Sequence, residues 1–157
     1  MVEMFAAENG LKGDPRLQAI SNAIRVVPHF PKQGIMFQDI TTLLLDHKAF
    51  KNTVDIFVDR YKDMDISVVA GVEARGFMFG PTIALAIGAN DCLEMHVGSV
   101  EAGERAIVID DLVATERVGA EVVECACVIG LREVKGQRRL NGKPLFILVE
   151  PREIDSC

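Results

Sequence analysis

The chain lacks the cysteine patterns of a metal site or a disulfide framework. Its four cysteines are Cys92, Cys125, Cys127 and Cys157, and none forms a C-x-x-C pair or stands near a histidine at metal-ligand spacing. Cys125 and Cys127 lie two apart in a predicted strand and face one side, which favours a packed core pair over a redox role. The cysteines therefore indicate a reducing compartment.

Positive charge and long apolar runs are also missing. A net charge of −6 and a pI of about 5.1 argue against a general nucleic-acid or membrane-surface binder. No apolar stretch approaches the roughly 20 residues of a membrane span, and residues 1–13 contain acids and no signal-peptide core. With 157 residues, 49% hydrophobic and 25% charged, the sequence predicts one globular cytoplasmic domain.

Hydrophobic periodicity predicts an alternation of helices and strands. Asp14 and Pro15 form an N-cap signal before a stripe of Leu17, Ile20 and Ile24. Such alternation is typical of an α/β fold with a mostly parallel sheet. The further predicted helices are 48–61 and 77–87, the latter closed by Gly88, and the predicted strands are 66–70, 107–109, 121–129 and 145–149.

The most informative stretch is 106–115, an apolar run that ends in Asp110 and Asp111. A β-branched run of this kind predicts a strand buried on both faces of a parallel sheet, and ligands bind beyond the carboxyl ends of such strands. Two adjacent carboxylates there can accept hydrogen bonds from the vicinal hydroxyls of a ribose. The following turn, from Leu112 through Val113 and Ala114 to Thr115, can direct backbone N–H groups at a 5′-phosphate.

A second candidate site lies in the segment 73–81, between a predicted strand and a predicted helix. The backbone N–H groups of Ala74, Arg75 and Gly76, with the Arg75 guanidinium, can converge there on an anion such as pyrophosphate. The alternative is a surface arginine paired with Glu73.

The segment 30–41 combines a Pro/Gly turn with aromatic and polar residues, and we expect a shaped loop. Phe37 is either part of a binding surface or a core anchor beneath the loop. Asp39 and Thr41 could equally cap the segment that follows.

These three motifs together resemble the type I phosphoribosyltransferases, and among them the adenine phosphoribosyltransferases. The resemblance rests on Asp-Asp-Leu-Val-Ala-Thr at 110–115, on Glu-Ala-Arg-Gly at 73–76 and on Phe-Pro-x-x-Gly-Ile-x-Phe-x-Asp-Ile-Thr at 30–41. It implies an α/β fold in which a mostly parallel sheet is flanked by helices. It also implies a small base-binding hood, formed in part by the N-terminal segment and the 28–42 loop.

The resemblance also implies a reaction and roles for residues. Adenine and phosphoribosyl pyrophosphate would give AMP and pyrophosphate, with Mg²⁺ bound mainly through the substrate's phosphates and with a homodimer as the assembly. Asp110 to Thr115 would bind ribose 5-phosphate, and Ala74 to Gly76 would bind pyrophosphate. Adenine would be held by Met36, Phe37, Gln38 and Leu131, although some members have arginine where this chain has Gln38.

At two positions, 89/90 and 115/116, the sequence has too few residues to connect the elements predicted on either side. Between Thr115 and Glu121 stand five residues, whereas a crossover between parallel strands needs about ten to twelve or more. At 89/90 the family has a strand and a mobile loop with a catalytic glutamate, so no catalytic residue can be named here. We expect mobile segments to be missing from the sequence at 89/90 and 115/116. The alternatives are true deletions and, for the second join, an antiparallel hairpin.

Two functions of other classes compete with the enzyme. True deletions would suit a non-catalytic regulator that retains a nucleotide or phosphoribosyl site. A strand ending in Asp-Asp also occurs in metal-dependent phosphotransferases, against which the 30–41 motif argues. Neither the three histidines nor the basic run 135–139 shows a pattern of catalytic chemistry.

Overall fold

The computed structural model describes residues 9–92, 103–112, 121–130 and 143–152. Within them the chain alternates between helices and strands, as the periodicity predicts. The helices are α1 (Pro15–Ala23), α2 (Thr41–Leu45), α3 (His47–Tyr61) and α4 (Gly76–Ile87). The strands are β1 (Arg25–Pro28), β2 (Met36–Asp39), β3 (Val68–Gly71), β4 (Asn90–Cys92), β5 (Arg105–Leu112), β6 (Glu121–Ile129) and β7 (Leu145–Val149).

Five strands form one parallel sheet in the order β4-β3-β5-β6-β7, and β1 and β2 form a separate antiparallel pair. The parallel pairing of β5 with β6 runs from Arg105 opposite Glu121 to Leu112 opposite Ile129. The antiparallel hairpin considered for these two strands is therefore wrong. Because all five strands are parallel, their carboxyl ends meet at one edge of the sheet, where α/β proteins bind ligands.

The helices bury the stripes that the sequence indicates. Asp14 caps α1, since its carboxylate accepts a hydrogen bond of 2.9 Å from the backbone N–H of Arg16. Leu17, Ile20 and Ile24 are buried in the main core. Gly88 ends α4 in the left-handed conformation, with φ of 75°, which a residue without Cβ adopts at low cost.

One buried ion pair links α3 to the sheet. Glu124 accepts hydrogen bonds of 2.5 and 2.6 Å from the guanidinium of Arg60 and one of 2.8 Å from the Tyr61 hydroxyl. The arginine also lies over the ring of Phe146, at 4.1 Å from its centroid. Both acceptor oxygens of a 4% exposed glutamate are thus satisfied, as a buried charge requires.

Several details differ from the sequence-based expectations. The segment 28–42 is largely a β-hairpin followed by α2, rather than an irregular loop. A short strand that the sequence did not predict, β4, begins directly after the join at 89/90 and pairs with β3. Cys127 is buried but Cys125 is only partly so. The predicted turn at Asn141 and the run 135–139 lie outside the described residues.

Candidate functional site

Two of the three motifs meet because β3 and β5 are neighbours. The pairing places Gly71, at the end of β3, opposite Ile109. The backbone N–H of Val72 then donates a hydrogen bond of 2.9 Å to the carbonyl of Ile109. The loop after β3 therefore starts beside the strand that continues into Asp110 and Asp111.

Glycine allows this loop to pack against the sheet. A Cβ atom on Gly76 would lie 2.4 Å from the carbonyl oxygen of Ile109, and one on Gly71 would lie 2.7 Å from the carbonyl oxygen of Gly76. Both distances are far shorter than real Cβ contacts, so a side chain at either position would displace the backbone. These two glycines hold the N-terminus of α4 against the end of β5.

The N-terminus of α4 offers the features of an anion site. No side chain caps the helix at Arg75, so the first N–H groups are left for another acceptor. The Nε atom of Arg75 lies 3.6 Å from the Oδ2 atom of Asp111, while Glu73 makes no ion pair with it among the described residues. The surface Arg75–Glu73 pair considered from the sequence is therefore wrong. The peptide bond between Glu73 and Ala74 is cis.

Asp110 and Asp111 differ in environment although they are adjacent. The backbone N–H of Asp111 donates a hydrogen bond of 2.7 Å to the carboxylate of Asp110. Burial raises the pKa of Asp110 to about 7, and the side chain of Asp111 acts in the same direction. The edge of the sheet thus holds one carboxyl that titrates near neutral pH and one that contacts a guanidinium.

The third motif forms the β1–β2 hairpin. Phe37 is half-buried, and its ring meets that of Phe30 edge to face at a centroid distance of 5.2 Å. Phe30 itself is 51% exposed. An aromatic pair that reaches solvent matches a binding surface better than a core anchor.

Asp39 closes the hairpin and prepares α2. Its carboxylate accepts hydrogen bonds from the backbone N–H and the hydroxyl of Thr41 and forms an ion pair of 2.5 Å with Arg25. The hydrogen bond from the Thr41 hydroxyl lowers the pKa of Asp39, and the ion pair with Arg25 lowers it further. Asp39 therefore binds the first backbone N–H of α2, but the N-cap residue is Ile40, which makes no side-chain capping hydrogen bond. Neither Asp39 nor Thr41 is the N-cap residue considered from the sequence.

The hairpin is tied to the segment that follows β7. The side-chain amide of Gln38 donates hydrogen bonds of 3.2 Å to the carbonyl of Met36 and 3.0 Å to the carbonyl of Arg152. Its oxygen accepts one of 3.3 Å from the backbone N–H of Arg152. The Arg152 guanidinium in turn donates to the carbonyl of Ile24. The hairpin is therefore tied to the segment that leaves the carboxyl end of β7, the edge of the sheet at which β5 also ends.

The remaining predicted site residues are only partly described. Leu112 ends β5, and Val113, Ala114, Thr115 and Leu131 lie outside the described residues. Across the described ranges, no three His, Cys, Asp or Glu side chains are grouped to hold a metal ion. No helix in those ranges is long and apolar enough to cross a membrane.

Sequence reasoning missed Arg152, because an arginine after the last strand resembles an ordinary surface charge. It also missed the Glu124 network. The available signal was Glu124 itself, an acidic residue inside the otherwise apolar run from Val122 to Ile129.

Comparison with known proteins gives a consistent result. No protein-family model matches the chain. The chain is 66% identical to adenine phosphoribosyltransferase 5 of Arabidopsis thaliana over 188 residues, covering 97% of this chain and 98% of the relative. It is 50% identical to adenine phosphoribosyltransferase 1 of Triticum aestivum, covering 91% and 99%. The adenine phosphoribosyltransferase structure from Thermoanaerobacter pseudethanolicus matches with a TM-score of 0.74 at 28% identity, covering 85% and 99%.

Proposed function

The chain belongs to the adenine phosphoribosyltransferase family of pentosyltransferases, and we propose that it joins adenine to phosphoribosyl pyrophosphate, giving AMP and pyrophosphate. Its relatives carry that enzyme name at 56–66% identity, which supports the catalytic reaction over a non-catalytic regulator. A structure at 27% identity, from Saccharomyces cerevisiae, contains adenine. The observation that carries the proposal is the meeting of the Arg75 loop with Asp110 and Asp111 at one sheet edge.

Phosphoribosyl pyrophosphate would occupy this edge. Asp110 and Asp111 would accept hydrogen bonds from the two ribose hydroxyls, and 112–115 would hold the 5′-phosphate. Ala74, Arg75 and Gly76 would bind pyrophosphate with a guanidinium and the free N–H groups of α4. The 3.6 Å contact between Arg75 and Asp111 supports this assignment, because it places the cation beside the ribose carboxylates, where pyrophosphate leaves the anomeric carbon.

Displacement at that carbon passes through an oxocarbenium-like state. The residues at the edge would hold both reactants in line and neutralise the leaving group. Mg²⁺ would supply part of that neutralisation. It keeps several waters and takes few protein ligands, which fits a site with two adjacent carboxylates and no third acidic or imidazole group nearby among the described residues. The metal would therefore be held mainly by the substrate's phosphates.

Adenine would bind at the hairpin. The backbone of Met36 would contact the purine edge and Phe37 would stack on the ring, and Leu131 would be a further residue that lines the base pocket. The half-exposed aromatic pair supports the stacking role. The amide of Gln38 is already bonded within the protein, so its part would be indirect.

The catalytic acid or base remains unassigned, since the loop that carries the family's glutamate has no counterpart in the sequence. The alignment with the Arabidopsis thaliana relative extends over 188 residues, more than the 157 of this chain. Eight residues connect the parallel strands β5 and β6, fewer than the usual crossover. Both observations support the proposal that segments are missing within the domain at 89/90 and 115/116.

We further propose a cytoplasmic homodimer. Met78 and Leu85, seven residues apart on α4, are 54% and 86% exposed, and such an apolar face supports a contact between copies. Light scattering of the purified protein tests the dimer, and fluorescence of a tagged chain in cells tests the location.

The function is tested by incubating the protein with adenine, phosphoribosyl pyrophosphate and Mg²⁺ and measuring AMP by chromatography, with hypoxanthine as the control base. Formation of AMP with adenine, and of no nucleotide with hypoxanthine, supports the proposal. Binding of AMP without turnover would instead favour the regulator, and phosphate release from simple phosphoesters would favour a phosphotransferase.

A further inference from the structure

We propose that Gln38 and Arg152 form a positioning pair that sets the place of the base-reading backbone at Met36. The inference rests on the proposed function, because it assigns a means of control to the base-binding hairpin. It concerns two residues that need not touch the substrate and whose contacts bridge 114 positions of the sequence.

The side-chain amide of Gln38 makes its hydrogen bonds within the protein. Both of its donor hydrogens and one lone pair of its oxygen are used, by the carbonyls of Met36 and Arg152 and by the backbone N–H of Arg152. A glutamine in the middle of a two-stranded hairpin would ordinarily project into water. Here it clamps the backbone of a distant segment and, through the same nitrogen, the carbonyl of Met36.

The other end of this contact is anchored at Arg152. Arg152 follows β7 by three residues, and its guanidinium donates to the carbonyl of Ile24 at the start of the hairpin. Gln38 stands opposite Val26 in the hairpin register. Arg152 therefore contacts β2 at Gln38 and, at Ile24, the residue that precedes β1. Its Nε atom is buried with no partner among the described residues.

The segment that holds the hairpin is itself attached to the sheet. A two-stranded hairpin is only marginally stable on its own, so its position depends on what holds it. β7 is paired with β6, and the carbonyl of Val149 accepts a hydrogen bond of 3.0 Å from Gly130. The Gln38–Arg152 pair therefore fixes the position of Met36 relative to the sheet, at the edge where ribose would bind. Loss of the pair should misplace the base site and leave the phosphate sites intact.

The test compares wild type with Gln38→Met, Arg152→Met and the double variant. Dissociation constants are measured by calorimetry for AMP and for ribose 5-phosphate, which lacks the base. Each single variant should weaken AMP binding about tenfold, which is the usual effect of losing a hydrogen bond to a charged group or a buried amide. Ribose 5-phosphate binding should change less than twofold. Because Arg152→Met removes only the guanidinium contact with Ile24 and keeps the backbone groups that Gln38 binds, the double variant should combine the two losses.

Arg105→Met serves as the matched control. Arg105 also donates its guanidinium to backbone carbonyls, those of Met64 and Asp65, at 3.2 Å, but away from the hairpin. The Arg105→Met variant should leave both dissociation constants unchanged. Equal weakening of AMP and ribose 5-phosphate in the Gln38 and Arg152 variants, or no weakening of either, overturns the inference. Failure of the wild type to form AMP from adenine would instead overturn the proposed function.

Discussion

The Nε atom of Arg75 lies 3.6 Å from the Oδ2 atom of Asp111. These residues belong to different motifs, one after β3 and one at the end of β5, and the parallel pairing of the two strands brings them together. The guanidinium thus lies beside a carboxylate. A bound pyrophosphate would compete for the same cation and release Asp111 toward the ribose.

We expect Arg75→Met to lower kcat/KM for phosphoribosyl pyrophosphate by about ten- to a hundredfold, since a charge-assisted hydrogen bond contributes about 1.5–3 kcal/mol. KM for adenine should change little. Steady-state kinetics with each substrate varied in turn provide the measurement. Arg16→Met is the control, because Arg16 also pairs with carboxylates but on the surface of α1. An unchanged kcat/KM for phosphoribosyl pyrophosphate in the Arg75 variant would contradict the assignment.

Gly76→Ala should abolish binding of pyrophosphate, because the added methyl would lie 2.4 Å from the carbonyl oxygen of Ile109. We expect a loss of stability of about 1–3 kcal/mol as well, typical of overpacking. Calorimetric titration with pyrophosphate and urea unfolding give the two quantities. Gly88→Ala is the control: its φ of 75° should cost about 1 kcal/mol while pyrophosphate still binds. Normal affinity in the Gly76 variant would refute the close packing.

The pH dependence of stability should report on Asp110. Its pKa of about 7 exceeds the ordinary 3.8, so between these values the folded chain binds a proton that the unfolded chain has lost. The free energy of unfolding should therefore fall as pH rises from about 4 to about 7. Asp110→Asn should remove this fall, and urea unfolding at several pH values measures it. The exposed Asp63→Asn should leave it in place, and an equal slope in both variants would contradict the prediction.

Glu124→Gln should destabilise the fold by about 1.5–3 kcal/mol, because it removes the charge of the buried partner of Arg60, whose own side chain is 31% exposed and keeps part of its hydration. The measurement is the urea midpoint with the slope held common. Lys51→Met breaks an exposed pair with Asp55 and should cost less than about 1 kcal/mol. Similar losses in the two variants would show that burial does not matter here.

Local signals in the sequence predicted much of the fold. The cap at Asp14, the stripe of α1 and the glycine after α4 depend on neighbouring residues alone, and all are confirmed. The apolar runs predicted β5, β6 and β7, and the family resemblance placed the motifs. The short strand β4 and the hairpin were missed, since runs of three or four residues are too short to give a strand signal until a partner strand is beside them.

The site was predictable to the extent that each motif is contiguous. Arg75 and Asp111 could be named separately, but their contact depends on the order of strands in the sheet. The role of Arg152 was not predictable, because its partners Ile24 and Gln38 lie 128 and 114 residues away. The binding roles of all the named site residues stay predictions, and 113–115 and Leu131 also lie outside the described residues.

The tie between Gln38 and Arg152 also has a consequence during synthesis. Ribosomes add about 5–20 residues each second, so the 114 residues between the two partners take on the order of 6 to 20 s. Throughout that interval the hairpin has no anchor on the sheet, and its exposed aromatic pair is available to chaperones. The hairpin therefore gains this contact only after the last strand of the sheet has been made.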